Sequence, residues 1–356
     1  MRVAVVGVGL IGGSVGLCAR RRGGAEVTGY DPDAGVLDMA LEHEAIDRAA
    51  PTLEDAVDNA EACFLCAPMT ELPALLHPVL DAAPSDCVVT DVGSTKRTIV
   101  AGTDDQRFVG GHPVAGAESS GVSNAREDLF DGAAWYLTPG PRSSGLLYER
   151  LHHLIARMGA VPVAIDAETH DRLLATVSHL PHVLANVLVA QAAGTVDRAG
   201  EPLPRVGPSF RDATRVAGSS SAVWTGIYTT NAEAIAAEID ATVERLRDVA
   251  ASLRDGSPGD IAAWNDAARD DRRRLLEADV SGGPLRELRV SVPNRPGTVA
   301  TVAVALGRAG VNIADMALDP AADMRSGSMA LWIAGEEEAR RASRLIEDLG
   351  FPVVEA

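Results

Sequence analysis

Between residues 91 and 121 the chain gathers side chains able to move protons and hold anions. The segment reads Asp91-Val-Gly-Ser94-Thr-Lys96 and then, past a short helix and strand, His112-Pro-Val-Ala-Gly116-Ala-Glu118-Ser-Ser-Gly121. A neutral imidazole can accept a proton near pH 7, a serine hydroxyl can bridge it to a substrate, and the lysine and glutamate supply charge. Both clusters follow apolar runs, 87–92 and 107–110, that read as strands. Strand ends in an open α/β sheet are where ligands bind. Lys96 is also the only lysine among 32 Lys and Arg residues. A flexible ammonium stands here in a chain that otherwise uses the planar guanidinium, and the two are not interchangeable.

A second constellation opens the chain. Residues 2–6 form a β-rich run, followed by Gly7-Val-Gly9-Leu10-Ile11-Gly12-Gly-Ser14 and an apolar helical stretch. A further strand, 26–30, ends in Asp31. This strand, glycine turn and helix, with an acid about 20 residues on, is the dinucleotide fingerprint. Gly7 permits the tight turn, Gly9 the approach of a pyrophosphate, and Gly12 close packing of helix on strand. Asp31 would accept from ribose hydroxyls and repel a 2′-phosphate, which favours NAD over NADP. Leu10 and Ile11 in the turn, with the strand-end residues Ala67, Pro68 and Asp91, complete the expected cofactor site.

The elements that must position these groups follow from the pattern. Strands and helices alternate to about Asp166, predicting a Rossmann-like doubly wound domain over 1–166 with some mixed strands at its edge. From 168 to 277 the periodicity is helical, predicting an all-helical domain over 167–280 for substrate binding or dimerisation. There Ile235, Ile239, Val243, Leu246 and Leu253 form one stripe, read as core or as a surface shared between subunits. Residues 281–356 read as βαββαβ, a ferredoxin-like unit. The overall class is α/β.

Two clusters stand out in the helical part. Ser178-His179-Leu-Pro181-His182 puts a proline in mid-helix, where it removes a hydrogen bond and clashes with the preceding turn. A kink that turns His179 or His182 toward a pocket would explain it. The two histidines could also be half a metal site, but no third ligand is evident, and no metal is expected. The other cluster, Phe210-Arg211-Asp212-Ala-Thr214-Arg215, suggests a guanidinium seeking an anion, or else a surface Arg–Asp pair. His43, His77, His152, His153 and His170 lie in polar helical contexts and are given no role.

Composition sets limits. A net charge of −18 is the opposite of a nucleic-acid footprint. No apolar run is expected to reach the roughly 18 residues of a membrane span. The chain opens on a strand rather than a signal peptide, so the cytoplasm is the expected compartment. Cys63 and Cys66 match CxxC formally, but within a strand an odd spacing sends them to opposite faces. With Cys18 and Cys87 they are expected to be core residues.

Taken together, Gly7-x-Gly9-Leu-Ile-Gly12-Gly-Ser14, Asp91-x-x-Ser94-x-Lys96, His112-Pro-x-Ala-Gly116-x-Glu118-x-Ser-Gly121, Ser178-His179-Leu-Pro-His182 and Thr214-Arg215-x-Ala217 with Trp224 resemble the prephenate and arogenate dehydrogenases of tyrosine biosynthesis. The resemblance covers about residues 1–280. It implies NAD-dependent oxidative decarboxylation of prephenate to 4-hydroxyphenylpyruvate, with arogenate as the alternative substrate. It gives His112 the role of base on the ring hydroxyl and sets Ser94 between that histidine, substrate and nicotinamide. Arg215 would pair with a substrate carboxylate, with His182 and His179 in the pocket. Lys96 and Glu118 would line, order or gate it.

The C-terminal unit resembles the ACT regulatory domain, which binds amino acids between paired copies. This implies a homodimer with L-tyrosine as effector, held by Asn294, Pro296, Gly297 and Asn312. Asn294 stands where an acid is common, so a purely dimerising role stays open. Two remoter readings are a β-hydroxyacid dehydrogenase, which would want a lysine on the first interdomain helix, and a silent NAD/tyrosine sensor, which would not need His112 and Ser94.

Overall fold

The computed structural model describes all residues except 117–118, 200–205, 279–282, 294–297, 299–300, 303–304, 307–308, 310, 312, 314, 322–325 and 356. The first sheet contains β1 (Arg2–Val6), β2 (Glu26–Tyr30), β3 (Arg48–Ala49), β4 (Ala62–Leu65), β5 (Val88–Asp91), β6 (Phe108–Pro113), β7 (Ala134–Pro139) and β8 (Val161–Ala164). Their order is β3-β2-β1-β4-β5-β6-β7-β8. Pairing is parallel throughout except between β6 and β7. β4 and β5 are buried along their whole length. That is why they read as continuous apolar runs: helices cover both faces of a parallel sheet. One apolar layer gathers Val3, Val5, Phe64 and Trp135, and the other Val6, Leu65, Leu76 and Val89. The strand order reverses between β1 and β4, the crevice where such sheets bind ligands.

The helical part has no strand among its described residues. It begins with the helix Ala167–Leu174, whose start is fixed by Asp166 accepting the Thr169 N–H at 2.8 Å. Ala175–His179 is then a π-helical turn, and Leu180–Ala199 resumes the α-helix. The π-turn answers the question raised by Pro181. Widening the turn just before the proline accommodates its missing donor without breaking the helix.

This helix also corrects an expectation from composition. Over Ala167–Gly194 it is long and apolar enough, by length and composition alone, to cross a membrane. Its buried face includes His179 and His182 beside Leu174, Ala175 and Ala185, while Val177, Val187, Leu188 and Val189 are exposed. On the helix Ala232–Asp255, Ile235 is buried but Val243, Leu246 and Leu253 are exposed. The stripe seen in the sequence is therefore not core within one chain.

By internal contacts the chain divides into Met1–Arg245 and Leu246–Ala356. In the second unit an antiparallel sheet has the order β10-β11-β9-β12, from β9 (Leu285–Pro293), β10 (Asp315–Pro320), β11 (Ser326–Ala334) and β12 (Val353–Glu355). The helix Glu336–Asp348 packs Ala339, Ala342 and Ile346 into a core with Leu288, Val290, Met329, Leu331 and Ile333. Arg272 lies 5.1 Å over the Trp332 ring. Asn294, Pro296, Gly297 and Asn312 lie outside the described residues.

Candidate active site

The glycine turn after β1 has the shape its sequence demands. Gly7 sits at φ +92°, and a Cβ there would stand 2.8 Å from the Ala67 nitrogen. A Cβ at Gly12 would stand 2.0 Å from the Gly7 carbonyl oxygen, so the helix Leu10–Arg21 packs directly on the turn. Nothing lies within 4 Å of a Cβ placed on Gly9. That helix starts at Gly9 with no side-chain cap and no acid in its first turn. Its first N–H groups are thus open to an anion. Asp31 faces the same turn, its carboxylate accepting the Val8 N–H at 3.0 Å and the Asp33 N–H at 3.1 Å. Leu10 and Ile11 form the first helical turn, and Ala67 and Pro68 close the other side. These residues fit a dinucleotide.

Beyond β5 the only lysine is fully enclosed. The Lys96 ammonium forms an ion pair with Asp91 and donates to the Gly111 carbonyl at 2.7 Å. The Asp91 carboxylate also accepts the Gly93 N–H at 2.8 Å and the Gly111 N–H at 3.1 Å. Burial pushes the Lys96 pKa down and the Asp91 charge opposes it. A buried ion pair is tolerated when its remaining hydrogen-bonding capacity is filled, as it is here. The sequence put Asp91 at the cofactor and Lys96 at the substrate. Both side chains are instead enclosed, and they tie the end of β5 to the residue before His112. Gly111 must be glycine for this approach, because a Cβ there would meet the Asp91 carbonyl oxygen at 2.5 Å.

His112 lies within β6 rather than beyond it, buried to 8% exposure. Its Nδ1 is 2.9 Å from His170 Nε2, and His170 Nδ1 is 2.8 Å from Asp171 Oδ1. This corrects the dismissal of His170. That residue is fully buried, its ring edge-on to those of His112 and Tyr136. No local signal marked it: His170 and Asp171 are both buried, but the contact that gives His170 its place is with a strand far away in sequence. Asp171 accepts the backbone N–H groups of Lys96 at 2.7 Å and Arg97 at 2.9 Å. Burial first, then His170, Lys96 and His179, hold the His112 pKa well below its ordinary 6.5.

The helical side supplies a second group. Asn231 donates to the Asp171 carbonyl at 2.7 Å and lies 3.2 Å from His179 Nδ1. Burial lowers the His179 pKa to about 4, against the pull of the Asp171 charge. His182 stacks on Trp224 with ring centroids 3.5 Å apart, and its Nδ1 meets the Tyr228 hydroxyl at 2.5 Å and Asn186 at 3.2 Å. Burial lowers its pKa, while the Val216 backbone favours the protonated form. Arg215, next to Val216, is exposed on the 3₁₀ turn Arg215–Gly218, which packs on the helix carrying His182. Ser94 is half-buried on the loop after β5, its N–H donating to Met69 Sδ at 3.1 Å. Glu118 lies outside the described residues. No group of three or more His, Cys, Asp or Glu among the described residues is placed to hold a metal ion. Cys18, Cys63 and Cys87 are buried, Cys66 is partly so, and all four are free thiols.

Comparison with known proteins agrees with this geometry. The family model for the prephenate dehydrogenase nucleotide-binding domain matches residues 15–164, that for the prephenate dehydrogenase dimerization domain matches 166–264, and the ACT domain matches 286–329. Prephenate dehydrogenase of Bacillus subtilis is 28% identical over 97% of this chain and 95% of its own. Cyclohexadienyl dehydrogenase of Zymomonas mobilis is 31% identical over 70% of this chain and 88% of its own. The structure of prephenate dehydrogenase from A. aeolicus in complex with hydroxyphenyl propionate and NAD+ superposes with a TM-score of 0.71 at 27% identity, over 77% of this chain and 98% of that one. With its glycine turn, buried histidine network and helical domain in this order, the chain belongs to the prephenate dehydrogenase family and binds NAD.

Proposed function

We propose that the chain oxidatively decarboxylates prephenate to 4-hydroxyphenylpyruvate, with His112 as the base. The observation that carries this is a buried imidazole near the end of β6, in the sheet whose β1 leads into the dinucleotide turn, held by His170 and Asp171. NAD, held by Gly7, Gly9, Leu10, Ile11, Gly12, Asp31, Ala67 and Pro68, is the hydride acceptor. His112 takes the proton of the ring hydroxyl as C4 loses hydride and carbon dioxide leaves C1. The phenolate so formed recovers a proton once the ring is aromatic. Aromatisation supplies much of the driving force, so the protein chiefly positions the substrate, deprotonates it and binds its carboxylates. Ser94 orients the hydroxyl, Arg215 pairs with a carboxylate, and His182 with His179 supplies further polar contact. Lys96 and Asp91 act by fixing the backbone under His112.

NADH formation with prephenate and with arogenate, each with NAD and NADP, tests this reading. Turnover of prephenate with NAD is expected, with NADP poor because the Asp31 carboxylate would repel a 2′-phosphate. Turnover of arogenate alone would move the assignment to the alternative substrate.

The functional division follows the sequence: a nucleotide domain over 1–166, a substrate and dimerisation domain over 167–280, and a regulatory unit over 281–356. The apolar faces left exposed at Val177, Val187, Leu188, Val189, Val243 and Leu246 suit a homodimer, in which a second copy covers them. Four free thiols suit the reducing cytoplasm. The 281–356 unit binds L-tyrosine and lowers activity through a conformational equilibrium, which requires unequal affinity for two states. Inhibition that persists at saturating prephenate is the expected result; inhibition fully relieved by prephenate would place tyrosine in the active site instead.

A further inference from the structure

We infer that Asp171 and His170 form a relay that fixes the tautomer of His112, so that its Nε2 carries the lone pair offered to the substrate hydroxyl. The inference rests on the reading of His112 as the base. Both oxygens of Asp171 are committed as acceptors, Oδ1 to the Lys96 N–H and Oδ2 to the Arg97 N–H. Backbone donors cannot reverse, so both oxygens serve here as acceptors. The ring nitrogen of His170 that meets Oδ1 must therefore carry hydrogen: Nδ1–H donates to Asp171 at 2.8 Å. With that nitrogen carrying the ring's one proton, the lone pair of His170 is on Nε2. The group facing that lone pair at 2.9 Å is Nδ1 of His112, which has to be the donor. This leaves His112 Nε2 unprotonated.

A carboxylate that orients a histidine is a familiar device; here a second imidazole is inserted between them. His170 and Asp171 are thus positioning residues, acting on the substrate only through His112. When His112 takes up the hydroxyl proton, its Nδ1–H still points at His170 and the Asp171 charge lies one ring further on. The developing imidazolium is stabilised without a charge beside the neutral ring in the resting state. The arrangement also explains why an acid is buried where β5, β6 and the first helix of the helical region meet. Its two backbone contacts hold the start of the helix Arg97–Ala101 and its third contact sets the base.

Paired substitutions at His170 separate orientation from packing. A glutamine side chain places its amide oxygen near the position of the imidazole Nε2, so His170→Gln keeps an acceptor for His112 Nδ1–H. His170→Leu fills the space and offers none. The expected result is a kcat loss of about 100-fold or more for His170→Leu and within about tenfold for His170→Gln, with KM for prephenate and NAD moving less than about threefold in both. The tautomer is read directly from ¹⁵N ring shifts of histidine-labelled full-length protein at pH 8, with His112 assigned through His112→Asn. Wild type should show Nδ1–H and bare Nε2 at His112.

Each outcome decides something. An active His112→Asn enzyme removes the base reading itself. An inactive His112→Asn with a fully active His170→Leu overturns the relay and leaves the base. Should His170→Leu fail to fold, the wild-type shifts still decide, since a proton found on His112 Nε2 overturns the relay.

Discussion

Replacing His112 by asparagine is expected to lower kcat by about 10²–10⁴, the range for loss of a general base, with little change in KM for prephenate. Asparagine keeps a polar group of similar reach on β6 but cannot hold the hydroxyl proton. The sign of the pH dependence follows from the same residue. The base works only when neutral, and burial with the surrounding His170, Lys96 and His179 holds its pKa well below 6.5. An unperturbed histidine would be half protonated at that pH. In this enzyme kcat/KM for prephenate should instead stay flat through pH 6.5 and fall only at more acid pH. In His112→Asn the residual activity should lose that acid limb. Near wild-type turnover in the variant would falsify the assignment of the base, whatever its pH profile.

How much of this was legible in the sequence differs by level. The nucleotide turn was readable because its constraints are local: Gly7 must reach φ +92° and Gly12 must lie against the Gly7 carbonyl. Short-range pattern records such demands. The strands were readable because β4 and β5 are covered on both faces. What sequence reading missed was long-range. His170 is 58 positions from the His112 it contacts, and nothing in the polar run Glu168-Thr-His170-Asp171 announces which of these side chains turns inward. The inward turn is set by Asp166 capping the helix and by the fold bringing β6 beneath it. Lys96 was picked out as unusual and read as lining, ordering or gating the pocket, while Asp91 was set among the cofactor residues. A single lysine in an arginine-rich chain signalled a special environment. Only the ion pair, closed by the Gly93 and Gly111 backbone, shows that environment to be enclosed. The apolar helix Ala167–Gly194 shows the converse limit. Its composition fits a membrane span, yet its buried face carries His179 and His182.

Arg215→Ala should raise KM for prephenate by about 10- to 150-fold, because a charge-assisted hydrogen bond of this kind is worth about 1.5–3 kcal/mol. The chain carries a net −18, and prephenate brings two carboxylates, so the site must provide local positive charge against an unfavourable background. Lys96 cannot supply it, since its ammonium is spent on Asp91 and Gly111. His179 is held neutral, with a pKa of about 4, and burial lowers that of His182 as well. Arg215 offers a guanidinium, and the turn that carries it packs on the helix bearing His182 and places Val216 against that ring. An interaction made equally in ground state and transition state changes KM and leaves kcat nearly unmoved. NAD affinity should hardly change, because the dinucleotide residues lie on the turns after β1, β2 and β4. Arg215→Lys should recover only part of the loss, since an ammonium cannot form the paired contact of a guanidinium with a carboxylate. If Arg215→Ala weakened NAD and prephenate binding together, the arginine would be holding the helical region in place rather than the substrate.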